Sequence, residues 1–214
     1  MAVATIRDLL AKPIDRHIEE VIKVDQADQA TVEEEIREYV VTDSLKEHFT
    51  TVYRAVAEAP ADPHEGIGIW VSGFFGSGKS SFAKILGYTL ANRPLGSTTA
   101  SALLKETVKN RRISDLLDSI NTRIPTLAVI FDVAMDRGVR TASERITEIM
   151  YKALLRALDY AEDFDLAGLE IALEGDGKLP EFEHRFQALY SKPWRVRRKL
   201  GVGVSEASRV LSEM

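Results

Sequence analysis

The sequence predicts an α/β fold: a parallel sheet with flanking helices, preceded by an N-terminal helical lead-in. Three observations point there. Two short apolar runs, 67–72 (IGIWVS) and 126–131 (TLAVIF), read as buried central strands. A glycine-rich turn follows the first run and opens a helical pattern. The order strand, helix, helix, strand, helix then requires the crossover connections of a parallel sheet. A chain of 214 residues, 45% hydrophobic and 29% charged, is long enough for one large core or a core with an appendage. The expected division is a lead-in over 1–60 packed on a core over 61–214.

The elements justify themselves in order. Residues 18–24 (IEEVIKV) are rich in β-branched side chains and read as a short strand. Thr31 and Glu34 have capping-box spacing ahead of Val32, Ile36 and Tyr39 at helical intervals. Ser44 and Glu47 repeat the pattern ahead of Leu45, Phe49, Val52, Tyr53 and Val56, and this helix stops near Pro60 in the loop APADPHEG. After the first apolar run and its glycine turn, a helix spans about Lys79 to Asn92, ended by Pro94. Residues 101–120 read as one helix burying Leu103, Leu104, Val108, Ile113, Leu116, Leu117 and Ile120. Beyond the second run, Thr141 and Glu144 box the start of the cleanest helical pattern, from Ile146 to Leu158. An acidic stretch then leads through EGDGK to a short helix at 181–190, the basic cluster KPWRVRRK and a terminal helical segment with no stop signal.

Composition removes several function classes. With no cysteine, a disulfide framework and a thiolate metal site are excluded. His17, His48, His64 and His184 show no metal spacing. No apolar stretch approaches the ~20 residues of a membrane span. Arg7 and Asp8 interrupt the N-terminus too early for a signal peptide. The expectation is a cytoplasmic chain without membrane contact. A net charge of −5 argues against binding nucleic acid over the whole surface.

One motif carries chemistry. Residues 73–80, GFFGSGKS, fit the phosphate-binding P-loop pattern GxxxxGK[ST]. With Gly at ~7% of residues, its fixed positions coincide by chance in a chain of this length with a probability of about 1%. Gly73, Gly76 and Gly78 allow the backbone its close turn, and Ser77 lies within it. The following helix directs its positive end at the same anion. Lys79 supplies the catalytic cation for the β- and γ-phosphates, Ser80 a hydroxyl for Mg²⁺, and Ser81 a position near the α-phosphate. The cofactors implied are ATP and Mg²⁺.

The other candidates have two readings each. Phe74 and Phe75 are expected to pack the loop against neighbouring helices, the alternative being a stack on the nucleotide base. Asp132 closes the second apolar run, where a Walker B metal acid belongs, but Val133 stands where many ATPases place the water-activating Glu. The alternative is an aspartate that caps the next loop, and Asp136 is the weaker metal candidate. Lys192, Arg195, Arg197, Arg198 and Lys199 around Trp194 are expected to form a solvated face. Contact with DNA phosphates or an acidic partner is the other reading. Lys105, Lys109, Arg111 and Arg112 are read in the same way. No NKxD or LSGGQ-like segment is present, which sets aside GTPase and ABC ATPase readings.

Together, TIRDLLAKPIDRHIEEVIKVDQ, EYVVTDSLKEHF and IGIWVSGFFGSGKSSFAKILGYTL resemble the N-terminal region of the BrxC family, the large P-loop ATPases of BREX bacteriophage-defence systems. The resemblance covers roughly residues 5–92 and extends more weakly to LAVIFDV. It implies a P-loop NTPase core of AAA+-like type and a place among the other subunits of a machine that includes a DNA methyltransferase. It also implies oligomers of the full-length protein and action on DNA, direct or indirect. Family members are far longer, so the resemblance implies an N-terminal fragment, with the Walker B acid–Glu pair downstream. The expected function is an ATP-binding or ATPase module coupling nucleotide to assembly or remodelling on DNA. The alternatives are a nucleotide-dependent scaffold and, behind it, a small-molecule P-loop kinase.

Overall fold

The computed structural model describes residues 28–61, 66–133 and 145–213. Among these the chain is helical, and its only ladder is a two-stranded antiparallel pair. The expected parallel sheet is therefore not present. The runs that were to build it, 67–72 and 126–131, are extended but belong to no ladder. Ile67, Ile69, Val71 and Leu127 lie exposed, and Trp70 is 91% exposed. A central parallel strand needs hydrogen-bonded neighbours on both edges and cover on both faces, and neither run has them. The P-loop NTPase fold of AAA+-like type is thereby overturned for this chain.

The described residues fall into two units, divided between Thr126 and Leu127. In the first, α1 (Gln29–Glu38) and α2 (Asp43–Glu58) precede α3 (Lys79–Leu90). A small hairpin follows, β1 (Pro94–Leu95) and β2 (Thr98–Thr99), then α4 (Ala100–Val108) and α5 (Arg111–Arg123). The caps differ from those expected. Asp28, not Thr31, caps α1, its carboxylate accepting from Thr31 N–H at 2.8 Å. Thr42 caps α2, one residue ahead of Asp43. The helix expected over 101–120 is two helices. Lys109 takes a left-handed conformation (φ 47°) that ends α4, and Asn110 caps α5 by accepting from Ile113 N–H. The core joins Val32 and Ile36 of α1 to Phe49 and Tyr53 of α2, Phe82 and Ile85 of α3, Leu104 of α4, and Ile113, Leu117 and Ile120 of α5. Phe49 lies 4.8 Å from Phe82 and 5.6 Å from Tyr53 between ring centroids.

The second unit holds α6 (Ile146–Ala157), α7 (Phe164–Gly175), α8 (Leu179–Tyr190), the short α9 (Trp194–Arg197) and α10 (Gly203–Ser212). Helix α7 occupies part of the acidic stretch that gave no helical pattern; Asp163 caps it through the N–H groups of Asp165 and Leu166. Trp194 is the centre of this core, with Phe182 and Phe186 at 5.2 and 4.9 Å. The expected strand at 18–24, His17, His64, the whole opening segment of the resemblance (5–26), Asp136 and the Thr141–Glu144 box lie outside the described residues. Among the described residues no helix is long and apolar enough to cross a membrane.

Candidate functional site

The glycine-rich loop joins the extended run 66–72 directly to α3, the helix that anchors it. That helix is held on three sides. Phe82 and Ile85 enter the aromatic and aliphatic core. Lys84 is buried and pairs with Glu35 of α1 at 2.7 Å. Thr89 exchanges a 2.7 Å hydrogen bond with the Tyr53 hydroxyl of α2, and its carbonyl accepts from Ser101 of α4 at 2.7 Å. Burial pushes the Tyr53 hydroxyl far up from its ordinary pKa, so it stays neutral. The loop therefore rests on a braced support.

The loop itself closes on the carbonyl of Phe74. Ser77 N–H donates to it at 3.2 Å, and the Lys79 ammonium donates to it at 2.7 Å. Gly76 and Gly78 stand at φ 76° and 86°, left-handed values that cost a residue with a Cβ about 1–2 kcal/mol. At Gly73 the constraint is space: a Cβ there would meet Ser77 Oγ at 2.6 Å. Gly78 is the N-cap of α3 and offers no side chain, so no capping group covers the first-turn N–H groups of Lys79, Ser80 and Ser81. The first bond into the helix comes only at Phe82 N–H, which donates to Gly78 carbonyl at 2.9 Å. Ser80 is exposed, and Lys79 and Ser81 are half-buried. Uncapped amides, the positive end of a 12-residue helix and a lysine ammonium thus meet at one point. The arrangement suits a polyanion.

Gly73, Gly76, Ser77 and Gly78 lie in the loop, and Lys79, Ser80 and Ser81 form the first turn of α3 that follows it. It does not place Asp132 with them in one unit, since Asp132 belongs to the second. No cluster of three or more His, Asp or Glu residues suited to a metal occurs among the described residues. A single exposed hydroxyl at Ser80 fits Mg²⁺ only when phosphate oxygens and water complete the shell, a common arrangement for that ion.

Two expectations about side chains change. Phe74 is 90% exposed and Phe75 fully so, and neither packs the loop against a helix. The basic cluster is a solvated face only in part: Lys192, Arg195 and Lys199 are exposed. Trp194 and Arg198 are buried. Arg198 pairs with Glu170 at 2.8 Å and Asp159 at 2.9 Å, Arg197 with Glu206 at 2.6 Å, and Arg195 with Glu183 at 3.0 Å as well as with Asp159. These three guanidinium groups have acidic partners already, and only the Arg198–Glu170 pair is buried on both sides. Lys105 pairs with Asp118, and Arg111 stands 3.7 Å from Asp115. The acids were visible in the sequence, but their pairing over separations such as Asp159 to Arg198 has no local signature. Nor did the sequence single out Lys84, whose i+5 spacing from Lys79 puts it on the buried side of α3.

No known protein-family model matches the chain. No solved structure matches it either.

Proposed function

We propose that the chain binds ATP with Mg²⁺ at Gly73–Ser81 and serves as the ATP-binding module of a cytoplasmic BREX phage-defence complex. There it couples nucleotide binding, and hydrolysis where a partner completes the site, to assembly or remodelling on DNA. One observation carries the nucleotide reading: Gly76 and Gly78 turn the chain left-handed immediately before the uncapped start of α3, with Lys79 beside them. The BREX assignment and its subunit partners rest on the residues that carry the resemblance, 5–26, 38–49 and 67–90.

The binding step follows from the loop. Lys79 exchanges the Phe74 carbonyl for a phosphate oxygen, trading a neutral acceptor for a charged one, which strengthens the hydrogen bond. The N–H groups of residues 79–81 donate to the same triphosphate, where the helix end favours negative charge. Bound Mg²⁺ would neutralise charge on the β- and γ-phosphates. Ser80 would hold it on the protein side. A scaffold that uses binding alone is the second reading, favoured by Val133 in the place of a water-activating glutamate after Asp132.

Calorimetric titration with MgATP tests the site. The Lys79→Ala variant keeps its fold, because the side chain is half-exposed and outside the core. It should bind MgATP markedly more weakly than the wild type. Equal affinity in the two proteins would remove the proposal.

A further inference from the structure

We infer that Phe74 and Phe75 form a stacking platform for the nucleobase, making the aromatic tip of the loop a second contact to the ligand beyond its phosphates. The inference rests on the nucleotide reading of the same loop. Three observations carry it. Both rings stand in solvent, although each could gain by burial. They are the only two large apolar side chains between Gly73 and Lys79, the rest of that segment being Gly and Ser. Their backbone also belongs to the closed loop: the Phe74 carbonyl accepts from Ser77 N–H, a bond that remains when Lys79 turns to phosphate, so the rings sit on the same turn as the cation.

A nucleoside triphosphate has one polyanionic end and one flat apolar end. The amides and Lys79 answer the first and leave the second without a partner. An exposed aromatic pair joined to the phosphate loop supplies a π-face for it. Stacking of this kind reads the face of a ring and not its hydrogen-bonding edge, so it tolerates different bases. The platform therefore favours purines for their larger faces and discriminates little between adenine and guanine.

The test compares MgATP, MgGTP and magnesium tripolyphosphate, which has the phosphates and no base, by calorimetry on the whole chain. The proteins are the wild type, the double variant Phe74→Ala/Phe75→Ala, the variant Phe75→Trp and the Lys79→Ala variant. Removing two exposed rings leaves the core untouched, so the double variant should melt at the wild-type temperature. It should lose on the order of tenfold in affinity for ATP and GTP alike and keep its affinity for tripolyphosphate. Phe75→Trp should retain ATP affinity. Unchanged ATP affinity in the double variant overturns the platform while leaving the phosphate site standing, provided Lys79→Ala still weakens tripolyphosphate. Equal losses for ATP and tripolyphosphate also overturn it, because the rings would then be shaping the loop. Wild type that fails to bind tripolyphosphate, or binds it as Lys79→Ala does, overturns the phosphate site and the platform with it.

Discussion

Glu170 in α7 should be the most sensitive single acid in the second unit. Its carboxylate is 1% exposed and accepts three hydrogen bonds: from Ala161 N–H at 2.7 Å, Trp194 Nε1 at 2.5 Å and Arg198 Nη1 at 2.8 Å. Glu170→Ala removes the acceptor of all three donors at once. Arg198, whose side chain is itself 5% exposed, keeps only the exposed Asp159 at 2.9 Å. Breaking a buried ion pair from one side costs about 3–5 kcal/mol, because the remaining charge stays desolvated. Stranding a buried N–H costs about 1–3 kcal/mol more in the absence of water. A recess of roughly 450 Å³ lined by Arg198, Lys199 and Ala161 gives water a route to these groups, and Asp159 remains. The expected loss is therefore about 3 kcal/mol, against a total of about 5–15 kcal/mol for an ordinary domain. Urea unfolding followed by Trp194 fluorescence in a Trp70→Phe background measures it. A loss below about 1 kcal/mol would refute the view that this pair is desolvated. The double replacement Glu170→Leu/Arg198→Met removes both charges and should recover the part of the loss due to the unpaired guanidinium, the Ala161 and Trp194 N–H groups remaining without their acceptor.

Three further outcomes are expected. Gly78→Ala must hold a Cβ at φ 86°, so it should strain the loop by about 1–2 kcal/mol, lower the melting temperature by a few degrees and weaken MgATP binding; undiminished affinity would show that the left-handed turn is not needed. Phosphate release by the chain alone should stay near background and be indifferent to Asp132→Asn, since an arginine finger supplied in trans is worth ~10³–10⁵ in rate; brisk turnover lost on that substitution would show a complete hydrolytic site. The hydrogen bond from Arg197 holds the Glu206 carboxyl below the usual glutamate range, so the folded state binds that proton less readily than the unfolded state. Its stabilising effect is full above about pH 4.3 and disappears as pH falls through the lower folded value. The difference in melting temperature between wild type and Glu206→Gln should thus shrink from pH 7 to pH 3, and a constant difference would count against it.

Helices were legible where one face is apolar. The intervals of Phe49, Val52 and Tyr53, and of Phe82, Ile85 and Leu86, place α2 and α3 within a few residues. The break between α4 and α5 was not, because Lys109 in a left-handed turn carries no glycine to mark it. Helix α7 was hidden by its own composition: Asp163, Asp165 and Glu170 read as an acidic stretch and Glu174 and Gly175 as the start of a turn, while the carboxylate of Glu170 is turned inward to Arg198. The sheet failed for a different reason. A short apolar run shows only that a segment would gain by burial; it does not show that neighbours exist to bury it, and IGIWV and TLAVIF have none in a ladder. The shape of the glycine loop was legible, with Gly76 and Gly78 at positive φ immediately before α3, since glycines at fixed spacing act through the backbone and need no distant residue.

The extended run before the loop has a consequence for handling the protein. Residues 66–78 contain no charged side chain and no proline, and Ile67, Ile69, Trp70 and Val71 are all exposed. Natural sheet edges are guarded by lysines, prolines or bulges against strand addition from another molecule. This stretch has no such guard. Its self-association should begin from the folded chain and not from an unfolded one, with light scattering rising steeply with concentration while the helical circular dichroism holds steady. Replacing Ile69 with Lys, on a side chain that already faces water, should raise the solubility limit without touching the glycines, Lys79 or the helical core.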